Sequence, residues 1–163
     1  MRIVDNQTTR LIEEIRSAVT ENTAVHLSCS YFTAFALFDL LDVLKKAKHV
    51  KVLLNRKADE LPFQFIQSDA EAPLNLELDR PYRIRQVIGL LEDKFEIRKG
   101  AVANQHVLIL ETGGELETFS LTPLELNSVT LGELPSTQPV LINAFTSGSE
   151  QYLSLFNNAW ENR

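Results

Sequence analysis

Apolar residues in this chain follow the spacing of a helix in some segments and that of a strand in others, and the two kinds of segment alternate. In the first segment Leu11, Ile15 and Val19 fall on one side of a helix, with Glu14 and Arg16 on the other. The predicted helices are 8–22, 34–47, 81–93 and a closing helix with Tyr152, Leu153, Phe156 and Trp160 on one face. The predicted strands are 24–31, 50–54, 95–98 and 140–144. This order predicts an α/β fold.

The region 105–121 has the pattern of a hairpin. Gly113 and Gly114 lie at its centre and tolerate the positive φ that tight hairpin turns need. Residues 55–79 contain two prolines and several acids, and they predict a long connection. Because helices alternate with strands early and antiparallel strands come late, we expect a mixed β-sheet sandwiched by helices. The first two strands and the helix between them should form a right-handed crossover.

The size and composition fit one domain that spans residues 1–163, with 44% hydrophobic residues to build a core. No run reaches the roughly 18 uninterrupted apolar residues of a membrane span, since Asp39 and Asp42 interrupt the best stretch. Residues 1–10 carry charges where a signal peptide needs an apolar block. Cys29 is the only cysteine and cannot form an internal disulfide. These features predict a cytoplasmic protein without a membrane partner.

Charge is distributed unevenly along the chain, whose net charge is −6. Residues 1–99 balance 15 Lys and Arg against 15 Asp and Glu, whereas residues 100–162 contain no Lys or Arg. That third of the chain is a poor surface for phosphate. The basic residues form two groups: Lys45, Lys46, Lys48, Lys51, Arg56 and Lys57, then Arg80, Arg83, Arg85, Lys94, Arg98 and Lys99. Each group is interpreted either as a solvated face or as a contact with anions or a DNA backbone.

Motifs that carry chemistry are few. Cys29 and His26 lie three apart on a predicted strand, so their side chains point to opposite faces and cannot form a nucleophile–base pair. The three histidines lack metal-ligand spacing, and no metal site is expected. No glycine-rich loop is followed by Lys and Ser or Thr, so the chain by itself should not hydrolyse ATP.

The carboxyl end of the first predicted strand of the α/β unit is the best place for a ligand. Ser28, Ser30 and Thr33 cluster at this strand–helix junction. Ligands gather where strands end and helices begin in open α/β sheets, and helix N-termini attract anions. The three residues are therefore candidates for anion binding. The other interpretation is a helix cap at Thr33 and two hydroxyls that are satisfied within the fold.

The order of these elements, with Phe95-Glu96-Ile97-Arg98 and then Gln105 to Leu110, resembles a phospholipase D-like domain. In that superfamily the second segment carries a His-x-Lys signature and an Asp five positions after the Lys. The His is the nucleophile that forms a phospho-enzyme intermediate, and the Lys binds the phosphate. Here His106 matches the His, while Leu108 replaces the Lys and Gly113 stands at the Asp position. The resemblance implies a phospholipase D-like mixed sheet with a degenerate catalytic signature.

A narrower resemblance covers nearly the whole chain. Its segments are residues 3–6, 30–33, 127–132 and 152–156, with Trp160. In that order they are similar to the N-terminal phospholipase D-like domain of bacterial DEAD/DEAH- or SWI/SNF-type helicases. The resemblance implies that residues 1–163 are the N-terminal part of a longer helicase-like protein, with the helicase core in cis beyond Arg163. ATP and Mg²⁺ are then expected only in that motor, and DNA is the substrate of the parent protein.

Two functions follow from the resemblance. The preferred one is a non-catalytic phospholipase D-like domain that assists a helicase in DNA engagement or mediates subunit association. A phosphodiesterase must stabilise negative charge as phosphorus becomes five-coordinate, and Leu108 offers no charge for this. The alternative is a metal-independent nuclease or phosphodiesterase that uses His106. Because catalytic relatives commonly pair two half-sites, a homodimer is part of that hypothesis.

Arg80, Arg83 and Arg85 form the densest arginine cluster of the chain. Arginine suits bidentate contacts with phosphate, so these three residues are the predicted DNA contact. The alternative is that they pair with neighbouring acids at positions 77, 79 and 92.

Overall fold

A computed structural model describes residues 2–30, 34–54, 89, 94–102, 105–122, 124, 126, 128–133 and 140–161. These residues form one seven-stranded sheet and four helices. The strands are β1 (Arg2–Val4), β2 (Thr23–Cys29), β3 (His49–Leu54), β4 (Phe95–Lys99), β5 (Val107–Thr112), β6 (Glu115–Ser120) and β7 (Ile142–Phe145). The helices are α1 (Leu11–Ala18), α2 (Ala34–Lys46), α3 (Ser128–Leu131) and α4 (Ser149–Glu161).

The sheet is mixed, as the sequence predicts. Its strand order is β1-β7-β6-β5-β2-β3-β4. Strands β2, β3 and β4 run parallel, and every other neighbouring pair is antiparallel. Helix α2 connects the parallel strands β2 and β3, and the β5–β6 hairpin continues the sheet on the other side of β2. Strand β2 is therefore an interior strand, and all seven of its residues are buried.

Helices cover both faces of the sheet, which confirms the predicted sandwich. We call the apolar cluster on one face the first core; it includes Leu11, Ile15, Leu40, Val43 and Leu131 from helices and Val25, Leu27, Val52, Leu108 and Ile142 from strands. The second core lies on the other face under α4 and consists of Leu53, Val102, Val107, Ile109, Phe156 and Trp160. Successive residues of β5 contribute alternately to the two cores, as the two-residue period of a strand requires.

Helix α1 is shorter than the predicted 8–22. The carboxylate of Asp5 accepts hydrogen bonds from the backbone N–H of Gln7 and of Thr8, each at 2.9 Å, so the chain turns before the helix begins. At the other end Val19 already has an extended backbone, with φ −81° and ψ 125°. The apolar spacing predicts the helix, but hydrogen bonds from polar side chains before it determine the residue at which it begins.

Asn6 connects α1 to α3. Its φ of 61° lies in the left-handed region, which asparagine tolerates better than most residues. Its Oδ1 accepts the N–H of Leu11 at 2.8 Å, and its Nδ2 donates to the carbonyls of Val129 and Thr130 at 3.2 and 2.9 Å. Gly132 follows α3 and has a φ of 87°. Its backbone lies so close to Asn6 that a Cβ on it would be 3.0 Å from the Asn6 Oδ1.

The remaining elements agree with the sequence prediction to within a few residues. Helix α2 and strands β3 and β4 occupy the predicted positions, while β2 ends at Cys29 and β7 begins at Ile142. The hairpin turns at Gly113 and Gly114, whose φ values of 56° and 87° are both positive. Several predictions concern residues outside the described ones: the connection 55–79 and the single residues Thr33, Arg80, Arg83 and Arg85. Of the predicted helix 81–93, only Gly89 is described. None of the helices in the described ranges has the length and apolarity needed to cross a membrane.

Candidate functional site

The carboxyl end of β2 meets the start of β5, and this junction brings together two residues that the sequence singled out separately. Ser28 pairs with Val107 in the antiparallel ladder, so Ser30 and His106 lie just beyond its last pair. The Oγ of Ser30 is 3.3 Å from Nε2 of His106. Both residues are half-buried. The register of β2 against β5 thus brings a serine and a histidine together where these two strands end and begin.

The contact of Nδ1 determines which nitrogen carries the proton in the neutral imidazole of His106. Its Nδ1 lies 2.8 Å from the carbonyl oxygen of Leu124. A carbonyl oxygen only accepts hydrogen bonds, so Nδ1 carries the proton and donates it. In the neutral ring Nε2 is then the basic nitrogen, and it accepts a hydrogen bond from the Ser30 hydroxyl.

The backbone around His106 is held by the segment that follows β6. The N–H of His106 donates to Oγ1 of Thr122 at 2.7 Å, and the N–H of Leu121 donates to the carbonyl of His106 at 2.8 Å. The N–H of Leu124 in turn donates to the carbonyl of Leu121 at 2.7 Å. This chain of bonds places the Leu124 carbonyl against the imidazole. No sequence pattern indicates Leu124, because every residue has a backbone carbonyl.

Ser28 has a structural role. It is 1% exposed, and its Oγ accepts the N–H of Val102 at 3.3 Å and donates to the carbonyl of Gln105 at 3.4 Å. These bonds tie β2 to the segment before β5. Of the three candidates for anion binding, Ser28 thus uses its hydroxyl within the fold, Ser30 contacts His106, and Thr33 lies outside the described residues.

Leu108, at the position where the phospholipase D-like signature has lysine, is a core residue. It is 4% exposed and belongs to the first core. Its neighbours there include Leu27 and Leu126, which line the same small apolar cavity. This position contributes packing and no charge to the site at His106.

Cys29 and His26 lie on opposite faces of the sheet, as the sequence predicts. Cys29 packs in the first core. His26 faces α4, and its ring centroid is 5.0 Å from that of Phe156 in an edge-on arrangement. The two side chains cannot act together.

A partly buried polar cluster beneath α4 was missed by sequence reasoning. We call His26, His49, Lys51 and Glu111 the histidine cluster. His26 is 3% exposed, and neither of its ring nitrogens has a hydrogen-bond partner among the described residues. Its Nε2 is 3.7 Å from a carboxylate oxygen of Glu111. Burial lowers the pKa of His26 to about 4, an effect that Glu111 opposes and that His49 and Lys51 reinforce. Among the described residues no three or more His, Cys, Asp or Glu side chains converge as metal ligands would.

Some residues of the two basic groups lie together at one corner of the molecule. Lys45 and Lys46 end α2, Lys48 precedes β3, and Lys94 precedes β4 and donates from its ammonium group to the Lys45 carbonyl. We call these four residues the lysine corner. None of them forms an ion pair with a carboxylate of the described residues, whereas the arginines at positions 2, 10 and 16 all do.

Arg98, from the second basic group, stabilises the end of α4. Its Nη1 donates to the Trp160 carbonyl at 2.9 Å, and its guanidinium carbon lies 4.3 Å from the centroid of the Trp160 ring. A cation at the carboxyl end of a helix is favourable for the helix dipole. Arg98 therefore contributes to the packing of α4 on the sheet.

The fold and the site define a mixed α/β domain with a serine–histidine pair where a parallel strand ends. Comparison with protein-family models and with curated proteins gives no match for this chain. The resemblance to phospholipase D-like domains therefore rests on the residues quoted from the sequence.

Proposed function

We propose that this chain is a phospholipase D-like domain that does not cleave phosphodiesters and that assists a DNA helicase in DNA engagement or subunit association. The burial of Leu108 is the observation that supports the absence of hydrolysis. Leu108 lies in the first core, at the position where the family has its phosphate-binding lysine. A lysine there would place an ammonium group among apolar side chains, which is unfavourable without a partner. The site thus lacks one of the charges that stabilise a five-coordinate phosphorus.

The lysine corner supports the DNA part of this proposal. Lys45, Lys46 and Lys48 are exposed, and Lys94 is half-buried. Because no described carboxylate neutralises them, four ammonium groups can attract a phosphate backbone together. The last turn of α2 also gains from Lys45 and Lys46 through its dipole, so stability alone explains part of this arrangement. The predicted contact through Arg80, Arg83 and Arg85 stays a prediction.

The triple substitution Lys45→Gln, Lys46→Gln and Lys48→Gln should weaken binding to duplex DNA and reduce its salt dependence. Each lost phosphate contact lowers the slope of log K against log salt by about 0.9, so we expect a decrease of roughly 2 to 3. Fluorescence anisotropy of a labelled duplex, titrated at about 50 to 200 mM salt, measures both quantities.

The matched control removes three positive charges outside the lysine corner. In Arg2→Gln, Arg10→Gln and Arg16→Gln the net charge changes equally, but these arginines already pair with acids. Melting curves of both variants confirm that they are folded. An equal loss of affinity in the two triple variants, or an unchanged salt slope in the lysine variant, would contradict the proposed surface.

A second function is favoured by the orientation of His106. The bond between Nδ1 and the Leu124 carbonyl keeps Nε2 basic, which a nucleophilic histidine needs. This is the alternative of a metal-independent nuclease or phosphodiesterase that uses His106, in which a homodimer supplies a second His106 as general acid. Light scattering would then detect the dimer.

A phosphodiesterase assay separates the two functions. We expect no turnover of bis(p-nitrophenyl) phosphate or of plasmid DNA in the presence of a metal chelator, because Leu108 provides no phosphate-binding charge. The comparison is the His106→Ala variant, purified in the same way. Metal-independent turnover that this substitution abolishes would reject the non-catalytic proposal and establish the second function.

A further inference from the structure

We propose that His106 activates Ser30 as a nucleophile toward carboxylic esters, so that Ser30 is a reactive serine. This activity goes beyond the proposed function: it involves neither DNA nor a phosphodiester, and it does not depend on the resemblance to any family. It rests on the positions of three groups, the Ser30 hydroxyl, the His106 imidazole and the Leu124 carbonyl.

The first step is the distance and direction of the proton transfer. The Ser30 Oγ and the His106 Nε2 are 3.3 Å apart. Bases in nucleophilic sites lie within about 2.6 to 3.2 Å of the hydroxyl they deprotonate, and the distance is often longer before substrate binds. Since Nδ1 carries the proton of the neutral ring, Nε2 has its lone pair directed at Ser30.

The second step is the group that orients the base. In serine hydrolases a third group bonds the far nitrogen of the histidine and fixes its tautomer and position. Here the Leu124 carbonyl has that place at 2.8 Å, and the bonds that fix the segment after β6 keep it there. A neutral carbonyl stabilises the imidazolium less than a carboxylate does, so we expect slower chemistry than in enzymes with an acidic third member.

The third step is the position of Ser30 in the fold. It follows β2 and precedes α2, a 13-residue helix that begins four residues later. Nucleophiles of α/β hydrolases lie at such strand-to-helix junctions, and the N-terminal end of a helix favours negative charge. Ser30 and His106 are both half-buried, in contrast to Ser28, so a small ester can reach them.

The reaction balances with these groups and water. The Ser30 oxygen forms a bond to the carbonyl carbon of the ester, and its proton moves to Nε2 of His106. The bond between that carbon and the leaving oxygen breaks, and the alcohol takes the proton from Nε2. Water, deprotonated by the same nitrogen, then bonds to the acyl carbon. The bond from that carbon to the Ser30 oxygen breaks, the carboxylic acid leaves, and the Ser30 oxygen takes the proton back from Nε2. With a fluorophosphonate the Ser30 oxygen bonds to phosphorus instead, and fluoride leaves.

The test is covalent labelling of the whole chain with a fluorophosphonate, followed by intact-mass and peptide mass spectrometry. We expect one adduct per chain, located on Ser30, and a burst of about one nitrophenol per chain with p-nitrophenyl acetate. Ser30→Ala should abolish both signals. His106→Gln should slow labelling about 100-fold, the usual contribution of a general base.

The matched control is Ser154→Ala, which removes an exposed serine of α4 and should leave labelling unchanged. Melting curves of each variant exclude unfolding as the cause of lost labelling. Absence of an adduct on Ser30 in the folded wild-type chain overturns the proposal, as does an adduct that forms equally fast in His106→Gln. Either result leaves the DNA-binding and phosphodiesterase tests to be decided by their own measurements.

Discussion

Replacing Phe156 with alanine should lower the free energy of unfolding by about 3 to 5 kcal/mol, the range found for truncating a large aromatic side chain in a core. Phe156 has no exposed surface. Its ring lies 5.0 Å from that of His26 and stacks on Trp160 at 5.9 Å between centroids. Among the described helices α4 alone covers this face, so the cavity would open directly above the histidine cluster.

Chemical denaturation measures this loss, and two substitutions on the same helix calibrate it. Leu155→Ala removes a side chain that is 46% exposed and should change stability by less than about 1 kcal/mol. Phe156→Leu keeps most of the apolar volume and should retain much of the stability. For a chain of this size the melting temperature of Phe156→Ala should fall by roughly 6 to 20 °C. A loss no larger than that of Leu155→Ala would show that α4 is not packed on the sheet.

The apolar face of α4 shows what the sequence can predict and where it stops. Phe156 and Trp160 are four apart, so their spacing alone places them on one side of a helix, and both are buried. The spacing does not specify which face of the sheet receives this helix. That choice depends on the direction in which residues 146–148 leave β7, and the apolar spacing within the helix does not record it.

The strands and the hairpin could be predicted because their signals are local. The positive φ of Gly113 and Gly114 follows from two adjacent glycines between β-type segments. The start of α1 could not be predicted from apolar spacing, because it depends on the side chains of Asp5 and Asn6 bonding to backbone groups.

The serine–histidine pair required information that is not local. His106 was singled out by a resemblance and Ser30 by its place at a strand end, but the two are 76 residues apart in the chain. Their contact follows from the register of β2 against β5, where a shift of one residue would turn one of them to the other face. The alternation in β2 also put His26 opposite Cys29, yet only the packing of α4 makes that face a buried one.

The stability of the protein should fall as the pH decreases from about 7 to about 4, and His26 should contribute about 3 kcal/mol of that loss. Burial lowers the pKa of His26 from 6.5 to about 4, with His49 and Lys51 reinforcing the shift and Glu111 opposing it. Between these two pH values the unfolded chain binds a proton at His26 and the folded chain does not. Protons therefore favour unfolding in this window, whereas above it His26 is neutral in both states.

The substitution His26→Leu isolates this contribution. Leucine has a similar volume and removes two ring nitrogens that lack hydrogen-bond partners, so the variant should be at least as stable as the wild type at neutral pH. The difference in free energy of unfolding between the variant and the wild type should grow by about 3 kcal/mol as the pH falls to 4. The variant lacks the group that binds a proton in the unfolded chain only. Urea denaturation at a series of pH values gives the free energy of unfolding of the wild type and of the variant as a function of pH.

His49→Gln is the comparison within the histidine cluster. Burial lowers the pKa of His49 as well, but this side chain is only half-buried, so water stabilises its charged form better. The curve of His49→Gln should therefore stay closer to the wild-type curve than that of His26→Leu. A parallel loss of stability in the wild type and His26→Leu as the pH falls would contradict this prediction. It would mean that His26 is protonated as readily in the folded chain as in the unfolded one, and that Phe156 does not shield its ring from water.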